Sequence, residues 1–108
     1  MLLDYMLEYN DKHYHEEDFG FFTWSKEDNV LCVWDIYTKP EYRSQKYAWK
    51  LFTKINSVAK KMDCDTIEGY VDKDYKNKEK SLKVLEAAGF THYNETEECF
   101  WLRTKVNG

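Results

Sequence analysis

The chain is poor in the residues that break structure. Of its 108 residues, one is proline and four are glycine, which leaves little room for linkers or low-complexity tracts. No apolar run approaches the roughly 18 residues that a membrane-spanning helix needs, so no membrane partner is expected. The opening MLLDYMLEYN lacks a basic stretch and carries Asp4 and Glu8, so it does not read as a signal peptide. Cysteine is scarce as well. Cys32, Cys64 and Cys99 are odd in number, far apart and without a CxxC pair. That pattern offers no disulfide framework and no zinc motif, and it points to a reduced, cytoplasmic setting.

Aromatic residues are abundant, with four Trp, nine Tyr and six Phe. A chain of this length has the material for one packed core and none for a second, so 1–108 reads as a single folded domain. The net charge of -4 is spread unevenly. Residues 1–35 hold nine acids and two bases, a net of -7; residues 36–63 hold seven bases and two acids, a net of +5; the rest hold nine acids and seven bases, a net of -2. An acidic chain with one basic block suits a small anion or a phosphorylated cofactor better than a nucleic acid.

Periodicity supplies an element order. Leu2, Leu3, Met6 and Leu7 share one face of a short N-terminal helix. KHYHEED reads as a polar connection. FGFFTWS and VLCVWDIYT read as two strands joined at KEDN, an antiparallel hairpin. Ala48, Leu51, Phe52, Ile55, Val58, Ala59 and Met62 recur at three- and four-residue steps and form the apolar stripe of a helix. TIEGYV is a third strand. A charged loop follows, with Asn77 as helix cap. Leu82, Leu85 and Ala88 line a second helix, which Gly89 closes in a left-handed cap. FTHYNE and CFWLRTKV are the last two strands. The crossover helix predicts that the second and third strands run parallel. The fold class is α/β (α+β), a mixed sheet in the order β-β-α-β-α-β-β behind a short helix. An uncovered edge of its five strands offers a route to a homodimer.

The segment PEYRSQKYAWKLF lies where a strand ends and the striped helix begins. The first amides of such a helix have no partner within it and carry partial positive charge, which suits a phosphate. Arg43 and Lys46 add charge at the same place.

The segment resembles the acetyl-CoA pyrophosphate loop of the GNAT superfamily of N-acetyltransferases, Q/R-x-x-G-x-G/A after a strand ending in V-x-P. Thr38-Lys39-Pro40 stands for V-x-P, Arg43 for Q/R and Ala48 for the last small residue, while Lys46 replaces the first glycine. KSLKVLEAAGF is similar to the family's second helix with its terminal Gly-Phe, here Gly89-Phe90. The resemblance covers about Phe19 to Val106. It implies a GNAT-like fold, acetyl-CoA as co-substrate, and Tyr37, Thr38, Arg43, Ser44, Gln45, Lys46, Tyr47 and Ala48 as its binding residues. It implies direct N-acetyl transfer to a primary amine of a small molecule or protein. An oxyanion would be held by a strand amide near Tyr37 or Thr38, and no metal would be needed.

The resemblance assigns no catalytic side chain. The family's helix tyrosine falls on Leu85, and its strand glutamate falls near Cys32, with Trp34 and Ile36 on the same side. Strict alternation sends Asp35 and Tyr37 to the other face, unless a bulge re-aims them. Arg43, the basic helix and Ala48 favour an enzyme. Leu85 and Cys32 favour the alternative, a catalytically degenerate member used as a binding or virion module, of the kind phages encode.

Three further groups read as structural. His13 and His15 beside Glu16, Glu17 and Asp18 read as a solvated acidic connection that could attract a cationic acceptor, rather than as a metal site. The cysteines read as small buried hydrophobes rather than nucleophiles. Trp24, Trp34 and Trp101 read as core, whereas Trp49 lies beside the helix stripe and suits a groove or a partner.

Overall fold

Alternating apolar residues from Gly20 onward build a six-stranded sheet in the order β1-β2-β3-β4-β6-β5. The structure is a computed structural model and describes residues 13–107; the helix expected at residues 2–7 lies outside the described residues. The elements are β1 (His13–Glu17), β2 (Gly20–Glu27), β3 (Val30–Thr38), a 3-10 turn (Pro40–Tyr42), α1 (Gln45–Lys61), β4 (Thr66–Asp72), α2 (Lys78–Ala87), β5 (Thr91–Glu95) and β6 (Cys99–Lys105). β2 and β3 form the expected hairpin, β3 and β4 run parallel, and β6 joins β4 and β5 antiparallel.

One strand departs from the sequence reading. The stretch KHYHEED contains β1 rather than a connection, so the sheet has six strands instead of five. The reason lies in ring packing across the ladder. His13 stacks on Trp24 at 4.6 Å and His15 on Phe22 at 5.2 Å. His15 Nε2 lies 3.0 Å from Glu17 Oε2, and Glu17 faces Lys54 of α1 at 3.8 Å. Polar composition concealed an edge strand whose imidazoles cover the aromatic residues of its neighbour.

Both helices pack on one face of the sheet. Leu51, Ile55 and Ala59 of α1 meet Phe22, Trp24, Leu31, Val33 and Ile67, while Leu85 of α2 joins Val71, Phe90 and Leu102. Burying each such large side chain contributes about 1.5–3 kcal/mol. The other face carries Cys32, Trp34, Glu68, Tyr70, Trp101 and Arg103, and among the described residues no helix covers it.

Both helices end in the same way. At α2 the Phe90 amide donates to Leu85 O and the Gly89 amide to Glu86 O, each at 3.0 Å, with Gly89 at φ 97°. This is the left-handed cap expected from the sequence. At α1 the Cys64 amide donates to Ala59 O (2.9 Å) and the Asp63 amide to Lys60 O (3.1 Å), with Asp63 at φ 57°. Here an aspartate occupies the position that glycine fills more easily.

Two stability changes follow in opposite directions. A Cβ at Gly89 would meet only Thr104 Oγ1 at 3.5 Å, so the cost of Gly89→Ala is conformational, about 1–2 kcal/mol. Asp63→Gly relieves the same strain and should stabilise the protein by ~1 kcal/mol. Urea denaturation of the two variants should move the midpoint down for the first and up for the second.

Candidate active site

The sheet opens where the parallel pair β3 and β4 comes apart. β3 and β4 pair through Val30↔Thr66, Leu31↔Ile67 and Cys32↔Glu68 and no further. β3 runs on to Thr38 and β4 to Asp72, leaving the β4-facing backbone edge of residues 33–38 without a ladder partner among the described residues. An extended chain inserted into this opening would meet backbone donors and acceptors on both sides.

A bulge decides what faces the opening. Thr23 pairs with Asp35 but Trp24 pairs with Val33, so Trp34 is the extra residue of β3. Trp34 and Asp35 consequently lie on the same face, and the alternation expected from sequence fails at this point. Asp35 and Tyr37 join Cys32 and Trp34 on the face turned away from α1 and α2, while Ile36 falls opposite Phe22 on the other. Thr23, only 1% exposed, holds the bulge. Its Oγ1 donates to Asp35 Oδ2 at 2.7 Å and accepts from the Asp35 amide at 3.0 Å. The hydroxyl thereby satisfies the amide freed by the bulge and fixes the carboxylate's orientation.

Tyr70 stands across the opening on β4, between Trp34 (6.3 Å between ring centroids) and Trp101 (5.4 Å). Burial, followed by the Asp35 carboxylate, pushes its hydroxyl above the ordinary tyrosine range. It is therefore a protonated donor at neutral pH. Sequence reasoning passed it over. The only signal was alternation, which sets Tyr70 on the face opposite Ile67 and Val71; the pairing that brings it to Asp35 is tertiary.

At the top of β3 the predicted cofactor loop is assembled as one unit. Arg43 Nε donates to Thr38 O at 2.9 Å, and its guanidinium lies 5.7 Å from the Tyr37 ring centroid. Ser44 is the N-cap of α1 in extended conformation, but its side chain makes no capping bond, and the first turn holds no acid. The first helical bond is Ala48 N to Ser44 O at 3.1 Å. The amides of Gln45, Lys46 and Tyr47 are left without a helical acceptor. An N-terminus with neither cap nor carboxylate, flanked by exposed Arg43, Lys46 and Lys50, carries uncompensated positive potential. The Tyr47 ring packs in a cluster with Phe19 (5.3 Å) and Tyr42 (5.0 Å), so of this residue only the amide is presented at the helix N-terminus.

The positions matching the family's acid and base serve other ends. Leu85 is core, 8% exposed, on the helix-covered side. Cys32 is the last residue of β3 paired with β4; burial, then the neighbouring Glu68, pushes its thiol up to about 11. Burial likewise raises Cys64 and Cys99, so all three are thiols and poor nucleophiles at neutral pH. Trp24 is core at 9% exposed, as expected, whereas Trp34 and Trp101 lie half-buried on the other face. Trp49 is 43% exposed beside Phe52 and lines a groove that Ala88 and Phe90 complete.

Among the described residues, no helix is long and apolar enough to cross a membrane. The profile of the acetyltransferase (GNAT) family matches residues 4–90. A search of curated proteins gives no match. Solved structures share the fold. The PaiA N-acetyltransferase of Thermoplasma acidophilum, in complex with coenzyme A, superposes with a TM-score of 0.76 at 19% identity, over 96% of this chain and 69% of that one. The N-acetyltransferase PseH of Campylobacter jejuni, in complex with acetyl coenzyme A, gives 0.70 at 19% identity, over 97% and 77%. The ribosomal-protein-S18-alanine N-acetyltransferase of Escherichia coli gives 0.68 at 12% identity, over 90% and 70%. The six-stranded sheet with two helices on one face is the fold of these enzymes, and with the family profile spanning most of its length the chain belongs to the GNAT family of acetyltransferases.

Proposed function

We propose that the protein is an acetyl-CoA-dependent N-acetyltransferase that passes the acetyl group directly to a primary amine. The observation that carries this reading is the opening between β3 and β4, with an uncapped helix N-terminus at its head and Asp35 and Tyr70 at its sides. The residues fit the co-substrate. The amides of Gln45, Lys46 and Tyr47 suit a pyrophosphate, Arg43 and Lys46 balance its charge, and the β3 edge suits an extended amide-bearing arm. Lys46 keeps its amide while adding an ammonium, so the loss of glycine exchanges close approach for charge.

Bound acetyl-CoA supplies a thioester carbonyl; the amine nitrogen bonds to its carbon, the carbon–sulfur bond breaks, and coenzyme A leaves as the thiol. Attack turns the nitrogen into a strong acid, so the Asp35 carboxylate, aimed by Thr23, can take its proton. A strand amide near Tyr37 or Thr38 holds the developing oxyanion. The protonated Tyr70 hydroxyl donates toward the departing sulfur, the task that Leu85 cannot perform. The buried, raised thiols are unsuited to carry an acyl group, which supports direct transfer. The burial of Leu85 also favours a second reading, a member that binds the co-substrate without turnover.

Acetyl-CoA at about 100 times its Kd should stabilise the protein by about 2.7 kcal/mol. For a domain of this size that raises Tm by roughly 10 °C. Lys46→Glu should abolish the shift; no shift in the unaltered protein at millimolar acetyl-CoA would refute cofactor binding. Tyr70→Phe should keep the shift and lower kcat about 100-fold. Because the Tyr70 pKa is raised, the donor is lost only above the ordinary tyrosine range. The alkaline fall in kcat should therefore lie above pH ~10 and disappear in Tyr70→Phe. A full thermal shift with no acetylation of any amine would establish the second reading.

A further inference from the structure

We propose that Arg43 is a positioning residue for acetyl transfer: by holding the Thr38 carbonyl it aims the Thr38 amide at the thioester oxygen. The proposal rests on the transferase reading and names both the amide and the side chain that fixes it. The β2–β3 ladder decides which amides face the opening. In an antiparallel pair, the backbone groups of successive residues turn alternately toward the partner strand and away from it. The Lys39 amide donates to Phe19 O at 2.9 Å, so that position is bonded and the next, Gly20↔Thr38, is not. By the same alternation Phe21↔Tyr37 is a bonded position and Phe22↔Ile36 is not. The Tyr37 amide is therefore spent on β2. The amides and carbonyls of Ile36 and Thr38 turn the other way, into the opening left by β4.

An amide holds an oxyanion best when the carbonyl beside it does not repel the same charge. The Thr38 carbonyl faces the opening with its amide, and Arg43 Nε donates to it at 2.9 Å, a charge-assisted bond. The Thr38–Lys39 peptide is thus held on both sides, its carbonyl by Arg43 and its amide by Phe19 O. Arg43 has no carboxylate partner among the described residues, so none competes for its Nε. The same side chain spans the turn between β3 and α1. The Tyr42 amide donates to Lys39 O at 2.8 Å and the Arg43 amide to Pro40 O at 3.3 Å, and Arg43 directly precedes Ser44, the N-cap of α1. The bond from Arg43 to Thr38 O therefore ties the start of the helix to the end of the strand. One suits the pyrophosphate and the other the thioester oxygen, so this bond sets the separation at which the two ends of one ligand are met. A small misplacement of reacting groups costs rate far more than affinity. The charge of Arg43 still adds to the field at the helix start, but its Nε donor does the positioning.

Two variants separate the charge from the donor. Arg43→Gln keeps a side-chain donor and removes the charge, whereas Arg43→Met removes both. Arg43 is exposed, so neither replacement should unfold the chain. In thermal-shift titrations acetyl-CoA should bind both variants alike, a few-fold more weakly than the unaltered protein. At saturating acetyl-CoA, Arg43→Met should lower kcat about tenfold, and Arg43→Gln should recover most of that loss. A second readout needs no turnover. In 15N-labelled protein, acetyl-CoA should move the Thr38 amide signal downfield in the unaltered protein and in Arg43→Gln, and leave it in place in Arg43→Met. Equal kcat in the two variants, or the same Thr38 response in all three proteins, overturns the proposal and leaves the transferase. If acetyl-CoA binds without acetylation of any amine, the Thr38 signal alone decides. No binding of acetyl-CoA by the unaltered protein overturns the transferase reading and the proposal with it.

Discussion

One buried hydroxyl organises the site. Thr23 donates a hydrogen bond to the Asp35 carboxylate and accepts one from the Asp35 amide, and in doing so it stabilises a strand with one residue too many. A bulge leaves a backbone group without a ladder partner, and such a group costs about 1–3 kcal/mol when buried unsatisfied. Thr23 removes that cost within the protein itself. The bulge also breaks the alternation of β3. Below it, Leu31 and Val33 face the helices; above it, Asp35 and Tyr37 face away from them.

The same strand explains the opening. Past Cys32 it leaves β4, yet it remains bonded along its other edge to β2 as far as Gly20↔Thr38. Gly20 permits the approach at that end, since a Cβ there would lie 2.1 Å from Tyr37 O. The upper half of β3 is therefore rigid on one side and unpaired on the other. The turn Pro40–Tyr42 and the bond from Arg43 to Thr38 O then seat the start of α1 directly above it. An anion-attracting helix end and an unpaired strand edge come together because fewer than ten residues separate them in the chain.

Charge is distributed unevenly around the opening. Arg43, Lys46 and Lys50 stand exposed at the start of α1, while Asp35 and Asp72 lie near Tyr70. Cys32, in contrast, is spent on structure. It closes the β3–β4 ladder with its thiol protonated, which keeps a second negative charge away from Glu68.

Most of the architecture was legible in the sequence because it is written in local periods. The α1 stripe, the left-handed cap at Gly89, the hairpin at Asp28–Asn29 and the parallel pairing of β3 with β4 each depend on residues near one another in the chain or on a single topological rule. The passage from strand to helix at residues 37–48 was legible for the same reason. β1 was not, since its stability comes from rings stacked across a ladder rather than from its own polar composition. The face that carries Asp35 and Tyr70 was hidden more deeply. Whether Asp35 points toward Tyr70 or away from it depends on a bulge stabilised by Thr23, twelve residues earlier, and Tyr70 reaches the site only through the sheet order. Side-chain period and capping chemistry are properties of the sequence alone. Register is a property of the assembled sheet, because a one-residue shift exchanges every face, and here it chose which residues line the β3–β4 opening.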